Sequence, residues 1–335
     1  MAEKTVPGVD IAVLGQADAR LTALAAAGDV LATCVGRRVE VSTGLDAGRL
    51  VPNSSWVQPD DVGTLSVAPS GRFLLLRSAA GDAIEVRPTD GAPPLVRLAG
   101  DLPGRPTTAA AIAATPDGEL LISSTERNRL QVRRLATGEL LRDELVREPR
   151  GFFFSSLVPM LDGDTVIAIG YYADETKDSL VALSLRRLLT EDGYLLPTFH
   201  RPALQDYAYR LAAGPCGPAV AAFYRDPEDD EDPEDDDEDD PNRLDVAGIR
   251  GLYLRRLSDR AVLGTAPVDL AVPTGVTLAG TEHHVVLALS EGALVVPRSG
   301  AAGTLVPAAH VAVDPRSGRS VLAATDGRLR LLTLS

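Results

Sequence analysis

The chain has 335 residues, 45% of them hydrophobic but only 4% aromatic, and a formal net charge of −14. So few rings argue against a surface built to stack bases, and no basic stripe is present to meet phosphates, so nucleic acid is not expected as a partner. Thirteen of the 47 acidic residues crowd into residues 226–240, leaving 34 acids against 33 bases, so the acidity is local and the remainder is nearly neutral.

No apolar run is long enough to span a bilayer, and residues 1–10 lack the charged stretch and apolar core of a signal peptide. The expectation is a cytoplasmic protein with no membrane association. Cys34 and Cys216 fall in separate predicted units and are expected to be reduced, since a chain of this size needs no disulfide for its core.

In chain order, residues 9–14 form one partly alternating strand with no hairpin partner of its own. A first unit of four short apolar runs follows at 20–26, 29–34, 38–42 and 49–51, broken at Gly28, Gly36 and Gly48. A helix over 18–27 competes there, because Leu21, Leu24 and Ala25 share a helical face. The second unit comprises 63–68, 72–78, 83–87 and 94–98. The third, the clearest, comprises 108–114, 119–124, 129–134 and 139–143, with Pro116, Asp117 and Gly118 at its first turn; glycine accepts the positive φ that tight turns demand. The fourth reads 152–158, 165–170, 179–185 and 194–198, and its third run fits a helix over 179–190 equally well, through Leu180, Leu183 and Arg187. The fifth starts with 207–213 and 219–224, meets an insertion at 225–248, and resumes at 251–257 and 261–265. The sixth covers 275–279, 284–289, 293–297 and 304–306. The seventh offers only 310–313, 320–324 and 328–333.

The last unit lacks one strand and the start of the chain has one to spare. Pairing 9–14 with 328–333 completes the last unit and closes a ring, hiding edges that would invite aggregation. The fold expected is therefore all-β: a single-domain, seven-bladed β-propeller of four-stranded antiparallel blades.

The third runs often read apolar-x-Val followed by a Gly, as in Leu130, Gln131, Val132 and Gly138, in Val39, Glu40, Val41 and Gly44, and in Ile84, Glu85, Val86 and Gly91. This pattern resembles the third strand and turn of WD40 and YVTN-type propellers. The Trp-Asp and Gly-His dipeptides of WD40 repeats are absent, Trp56 being the only tryptophan, so that family's buried His, Ser and Asp network does not carry over.

The conspicuous site candidate is the acidic run: Asp226, Glu228, Asp229, Asp230, Glu231, Asp232, Glu234, Asp235, Asp236, Asp237, Glu238, Asp239 and Asp240. Like charges at this density, with prolines between them, favour an extended, disordered segment. It reads as a docking loop for a protein partner with a basic surface, as a weak sponge for divalent ions, or as a solubilising insertion. The pattern of an EF-hand loop is not met, because no Gly sits at the turn position. His283 and His284 are neighbours on a strand and point to opposite faces, which argues against a shared metal. His310 and Asp314 could pair as a base and its orienting carboxylate, but no G-x-S-x-G nucleophile accompanies them. Lys4 and Lys177, the only lysines, follow no phosphate-cradling loop. No catalytic residue, metal or cofactor is expected. The reading is a monomeric, non-enzymatic scaffold; the alternative is an enzyme resembling the lactonase branch of YVTN-like propellers, with a small substrate in the channel.

Overall fold

The computed structural model describes residues 9–16, 18, 20–81, 83–99, 109–126, 129–145, 152–172, 179–191, 210–214, 220–225, 251–256, 262–266, 277–280, 283–289, 292–297, 303–314, 316–317, 319–323 and 326–334. Strand β1 (Val9–Gln16) precedes a first blade of β2 (Ala23–Ala27), β3 (Val30–Val35), β4 (Arg38–Thr43) and β5 (Val51–Val57). The second blade is β6 (Val62–Val67), β7 (Phe73–Ser78), β8 (Ala83–Pro88) and β9 (Val96–Ala99). The third is β10 (Ala109–Thr115), β11 (Gly118–Glu126), β12 (Arg129–Arg134) and β13 (Leu140–Leu145). A three-stranded sheet of β14 (Phe152–Pro159), β15 (Thr165–Tyr172) and β16 (Ser179–Ser184) leads into helix α1 (Leu185–Thr190). Two more blades follow: β17 (Arg210–Gly214), β18 (Val220–Arg225), β19 (Gly251–Arg256) and β20 (Val262–Ala266), then β21 (Thr277–Gly280), β22 (His284–Leu289), β23 (Gly292–Pro297) and β24 (Thr304–Pro307). The closing blade joins β25 (His310–Val313), β26 (Ser320–Ala323) and β27 (Arg328–Leu334) to β1.

Every sheet is antiparallel, and in all but one strand pair the partners are consecutive. The exception is β1 with β27, whose register runs from Val9↔Leu334 to Gln16↔Arg328, so the two ends of the chain are hydrogen-bonded as the complementary strand count required.

Successive sheets pack face to face, which explains the Ala-rich inner strands. In β2, Ala23, Ala25 and Ala27 meet Val62, Leu74 and Leu76 of the second blade, while Leu24 and Ala26 meet Val321, Ala323 and Leu331 of the closing blade. Both faces are buried, so small side chains let neighbouring sheets approach. Phe73, Leu75 and Ile84 of the second blade pack on Ile112 and Leu121 of the third, and Leu130 and Val132 of the third share a core with Phe154, Val166 and Leu183. Val286 and Val295 pack on Leu322, Leu332 and Leu334. Each fully buried Val or Leu contributes ~1.5–3 kcal/mol, so the seams hold the fold together.

Four expectations change. The helix over 18–27 is not formed: a strand buried on both faces also shows apolar residues at helical spacing, and β2 is that strand. The fourth strand of the first unit is Val51–Val57 rather than 49–51, because an outer strand tolerates Pro52 where the missing N–H is not needed by a neighbour. The ambiguous stretch 179–190 is both things in turn, strand to Ser184 and helix from Leu185, with Leu185 and Leu188 buried in the seam against the third blade. Among the described residues six blades are four-stranded, not seven: the fourth unit shows three strands, and its expected fourth, 194–198, lies outside the described residues.

Candidate functional site

In the first two blades the links between second and third strands meet the link that joins the blades. Gln58 N donates to Arg37 O at 2.8 Å, Val62 N to Gly36 O at 3.1 Å and Ala79 N to Asp61 O at 2.7 Å, stitching the β3–β4, β5–β6 and β7–β8 links together. They border a cleft of about 410 Å³ lined by Arg37, Pro59, Asp60, Asp61, Ser78, Ala79 and Ala80. Arg37 donates to Pro59 O at 3.2 Å, and Arg97 pairs with Asp60 at 3.3 Å. Beneath them Glu85, 8% exposed, accepts from Gln58 at 2.9 Å and Arg87 at 3.1 Å, and Arg87 stacks over Trp56 at 5.0 Å. These bonds compensate the buried charge of Glu85 and tie β8 to the link that follows β5. Burial lowers the pKa of Arg77 nearby.

A second cleft, of about 500 Å³, lies where the closing blade meets the first blade. Leu21, Leu31, Val35, Leu50 and Leu329 give it an apolar lining, and Gln16, Asp18, Arg20, Thr33, Arg38, Glu40 and Ser42 supply polar groups. Two exposed ion pairs stand in that polar set, Asp18 with Arg20 at 3.0 Å and Arg38 with Glu40 at 2.8 Å. The bonds from Arg20 hold the Asp18 carboxyl at about 2, well below its usual range. Sequence reasoning missed both clefts, since each gathers residues from separate blades; the one readable sign was the adjacent Asp60 and Asp61 between two strands.

The acidic run from Asp226 to Asp240 lies outside the described residues. The strands that bound it are β18 and β19, and their ladder is continuous to Arg225↔Gly251, so Arg225 belongs to the blade and not to the insertion expected at 225–248. In strand order the β18–β19 link corresponds to the β3–β4 and β7–β8 links that border the first cleft.

His283 is exposed and His284 buried at the start of β22. Desolvation, and then the neighbouring His283, lower the pKa of His284. Asp314, 2% exposed, does not orient His310: its carboxylate accepts from Ser317 Oγ at 2.5 Å and Arg316 N at 3.1 Å, which fixes the turn before β26. Cys34 is a buried free thiol whose pKa burial raises, with Sγ donating to Gly36 O at 3.3 Å, an arrangement that suppresses thiolate chemistry. Among the described residues, no three His, Cys, Asp or Glu side chains gather as a metal site requires, and no helix is long and apolar enough to cross a membrane.

No family model and no curated protein matches the chain. Solved structures do. A chain of the Kuenenia stuttgartiensis hydrazine synthase superposes with a TM-score of 0.59 at 11% identity, covering 94% of this chain and 96% of that one. A chain of a mitotic checkpoint complex gives 0.57 at 13%, covering 99% and 96%. The fold is a β-propeller. It resembles 1440 solved chains in all, so the propeller by itself selects no activity, and function has to be argued from surfaces.

Proposed function

We propose that the protein is a non-enzymatic interaction scaffold, a divergent WD40/YVTN-like propeller whose acidic run docks protein partners through their basic surfaces. In this reading the three-stranded sheet is a seventh blade of the ring, completed by residues 194–198, and the run at 226–240 is an insertion in a single domain. The observation that supports it is the unbroken β18–β19 ladder up to Arg225↔Gly251, so that in sequence the run falls between two paired strands of one sheet. The equivalent links of the first two blades border the cleft with Asp60 and Asp61, so the run adds charge to a face that already presents carboxylates. That the same fold occurs in a chain of a mitotic checkpoint complex accords with an assembly role.

Attraction of this kind is long-ranged and screened, weakening as the Debye length falls from ~10 Å at ~0.1 M salt to ~3 Å at ~1 M. The test replaces residues 226–240 with a Gly/Ser linker of equal length. An unchanged melting temperature together with loss of salt-sensitive partner capture from the native cell supports the reading. Capture of the same partners with the same salt dependence refutes it and leaves a solubilising insertion.

A further inference from the structure

The third strands of the first two blades carry the same device on the face turned to the preceding blade. Glu40 of β4 and Glu85 of β8 are each the third residue of their strand, and each accepts from the Nε of an arginine two residues away, Arg38 at 2.8 Å and Arg87 at 3.1 Å. Their surroundings differ. The side chains of Glu85 and Arg87 are only 10% and 16% exposed, because Trp56 of β5 lies against Arg87 and the Gln58 amide beyond it reaches Glu85. Those of Glu40 and Arg38 are 52% and 63% exposed. β1 flanks β27 as β5 flanks β4, and it sets Gly15 opposite Leu329 where β5 sets Trp56 opposite Val39. A Cβ on Gly15 would meet nothing within 4 Å. The ring that closes one seam thus has a glycine as its counterpart in the other, and there lies the cleft of about 500 Å³, within the ~300–1,000 Å³ typical of small-molecule sites.

We propose that this cleft binds a small, uncharged aromatic molecule bearing an amide N–H, which brings to Arg38 and Glu40 the ring and the donor that Trp56 and Gln58 bring to Arg87 and Glu85. Arg38 spends its Nε on one oxygen of Glu40, so among the described residues its terminal N–H groups and the second Glu40 oxygen have no bonded partner. The planar guanidinium offers a face on which a ring stacks, and the carboxylate oxygen accepts the amide. Leu21, Leu31, Leu50 and Leu329 give the ring an apolar floor. The charged groups of the lining cancel, Asp18 and Glu40 against Arg20 and Arg38, which favours a neutral ligand over an ion. The cleft is made of the first and closing blades and takes nothing from the acidic run, so this proposal goes beyond the scaffold reading and is tested apart from it.

N-acetyltryptophan amide, which joins an indole to amide donors, is the probe, titrated into the full chain by NMR up to ~10 mM so that weak binding is read. The expected result is saturable binding at one site, about tenfold tighter than that of N-acetylleucine amide, which keeps the amides without the ring, and than that of N-acetyltryptophan, whose carboxylate adds a charge. Glu40→Gln should weaken it about tenfold. Gly15→Trp, which sets a ring of the protein's own where β5 has one, should abolish it without lowering the melting temperature. Glu139→Gln, at an exposed ion pair of the third blade, should leave it unchanged. No binding by ~10 mM, equal binding of the leucine analogue, tighter binding of the carboxylate, or binding that survives Glu40→Gln and Gly15→Trp would each overturn the proposal.

Discussion

Asp18 draws its low pKa from Arg20 alone: one carboxylate oxygen accepts from the backbone N–H at 2.9 Å and the side chain at 3.1 Å, the other from the guanidinium at 3.0 Å. A carboxylate depressed on folding contributes stability above its ordinary pKa of 3.8 and loses it as pH falls through about 2, so the pair is intact at neutral pH. Titration followed by NMR should give a midpoint of about 2, moving back toward the ordinary value in Arg20→Ala. With both groups exposed, that variant should melt almost normally. Gly44 is different in kind. Its φ is +91°, its N–H donates to Asp29 at 2.9 Å, and an added Cβ would run into the backbone carbonyl of Arg49. Gly44→Ala should therefore cost about 1–3 kcal/mol by chemical denaturation, combining backbone strain with displacement of the loop. The breaks formed by such glycines were readable in the sequence because the requirement is local. What Asp29 does was not, since it accepts from Gly44 N and Asp46 N, which only the folded blade brings to it.

At the scale of elements, Ser184 is the hinge between strand and helix. Its hydroxyl accepts from Arg187 N at 3.2 Å as the helix cap and donates to Asp164 at 2.9 Å, and Asp164 in turn accepts from Arg186 N at 2.7 Å. Ser184→Ala should destabilise by ~1 kcal/mol, the usual cost of a lost cap, and Asp164→Ala by a similar amount in the same denaturation assay. Sequence could not separate strand from helix over 179–190, because the buried positions Leu183, Leu185 and Leu188 satisfy both spacings once the chain changes direction at Ser184. Strands were legible wherever a period of two ran between glycine breaks, as in β6 to β8 and β10 to β12. They were misjudged at β5, whose run Val51–Val57 carries Pro52, Asn53, Ser54 and Ser55 and shows no apolar alternation to read. The acidic run was legible as composition, whereas the clefts beside Asp60 and beside Asp18 depend on which blades become neighbours.

The whole molecule is closed by its least local contact. β1 and β27 meet in register across almost the entire chain, while every other strand pair joins neighbours in sequence. Counting strands revealed that closure because a deficit at one end matched a surplus at the other. Its energetics follow from loop entropy: the pair forms only after the intervening sheets are in place, and nothing but its own contacts keeps it shut. The ladder runs the length of β1, but Ile11, Ala12 and Val13 stay exposed and the adjoining seam leaves the cleft of about 500 Å³, so little side-chain burial backs it. β1 should therefore open before the sheets unfold. Native-state hydrogen exchange at low protein concentration should show β1 amides exchanging through an opening with a lower free energy and a weaker denaturant dependence than β11 and β12, which exchange by global unfolding. Deleting residues 1–15 should lower stability by the same free energy and promote aggregation through the edge of β27, where Leu332 and Leu334 lie buried. If β1 instead exchanges at the global free energy, the seams are tight enough to make closure part of one cooperative transition, and the truncated chain should fail to fold at all.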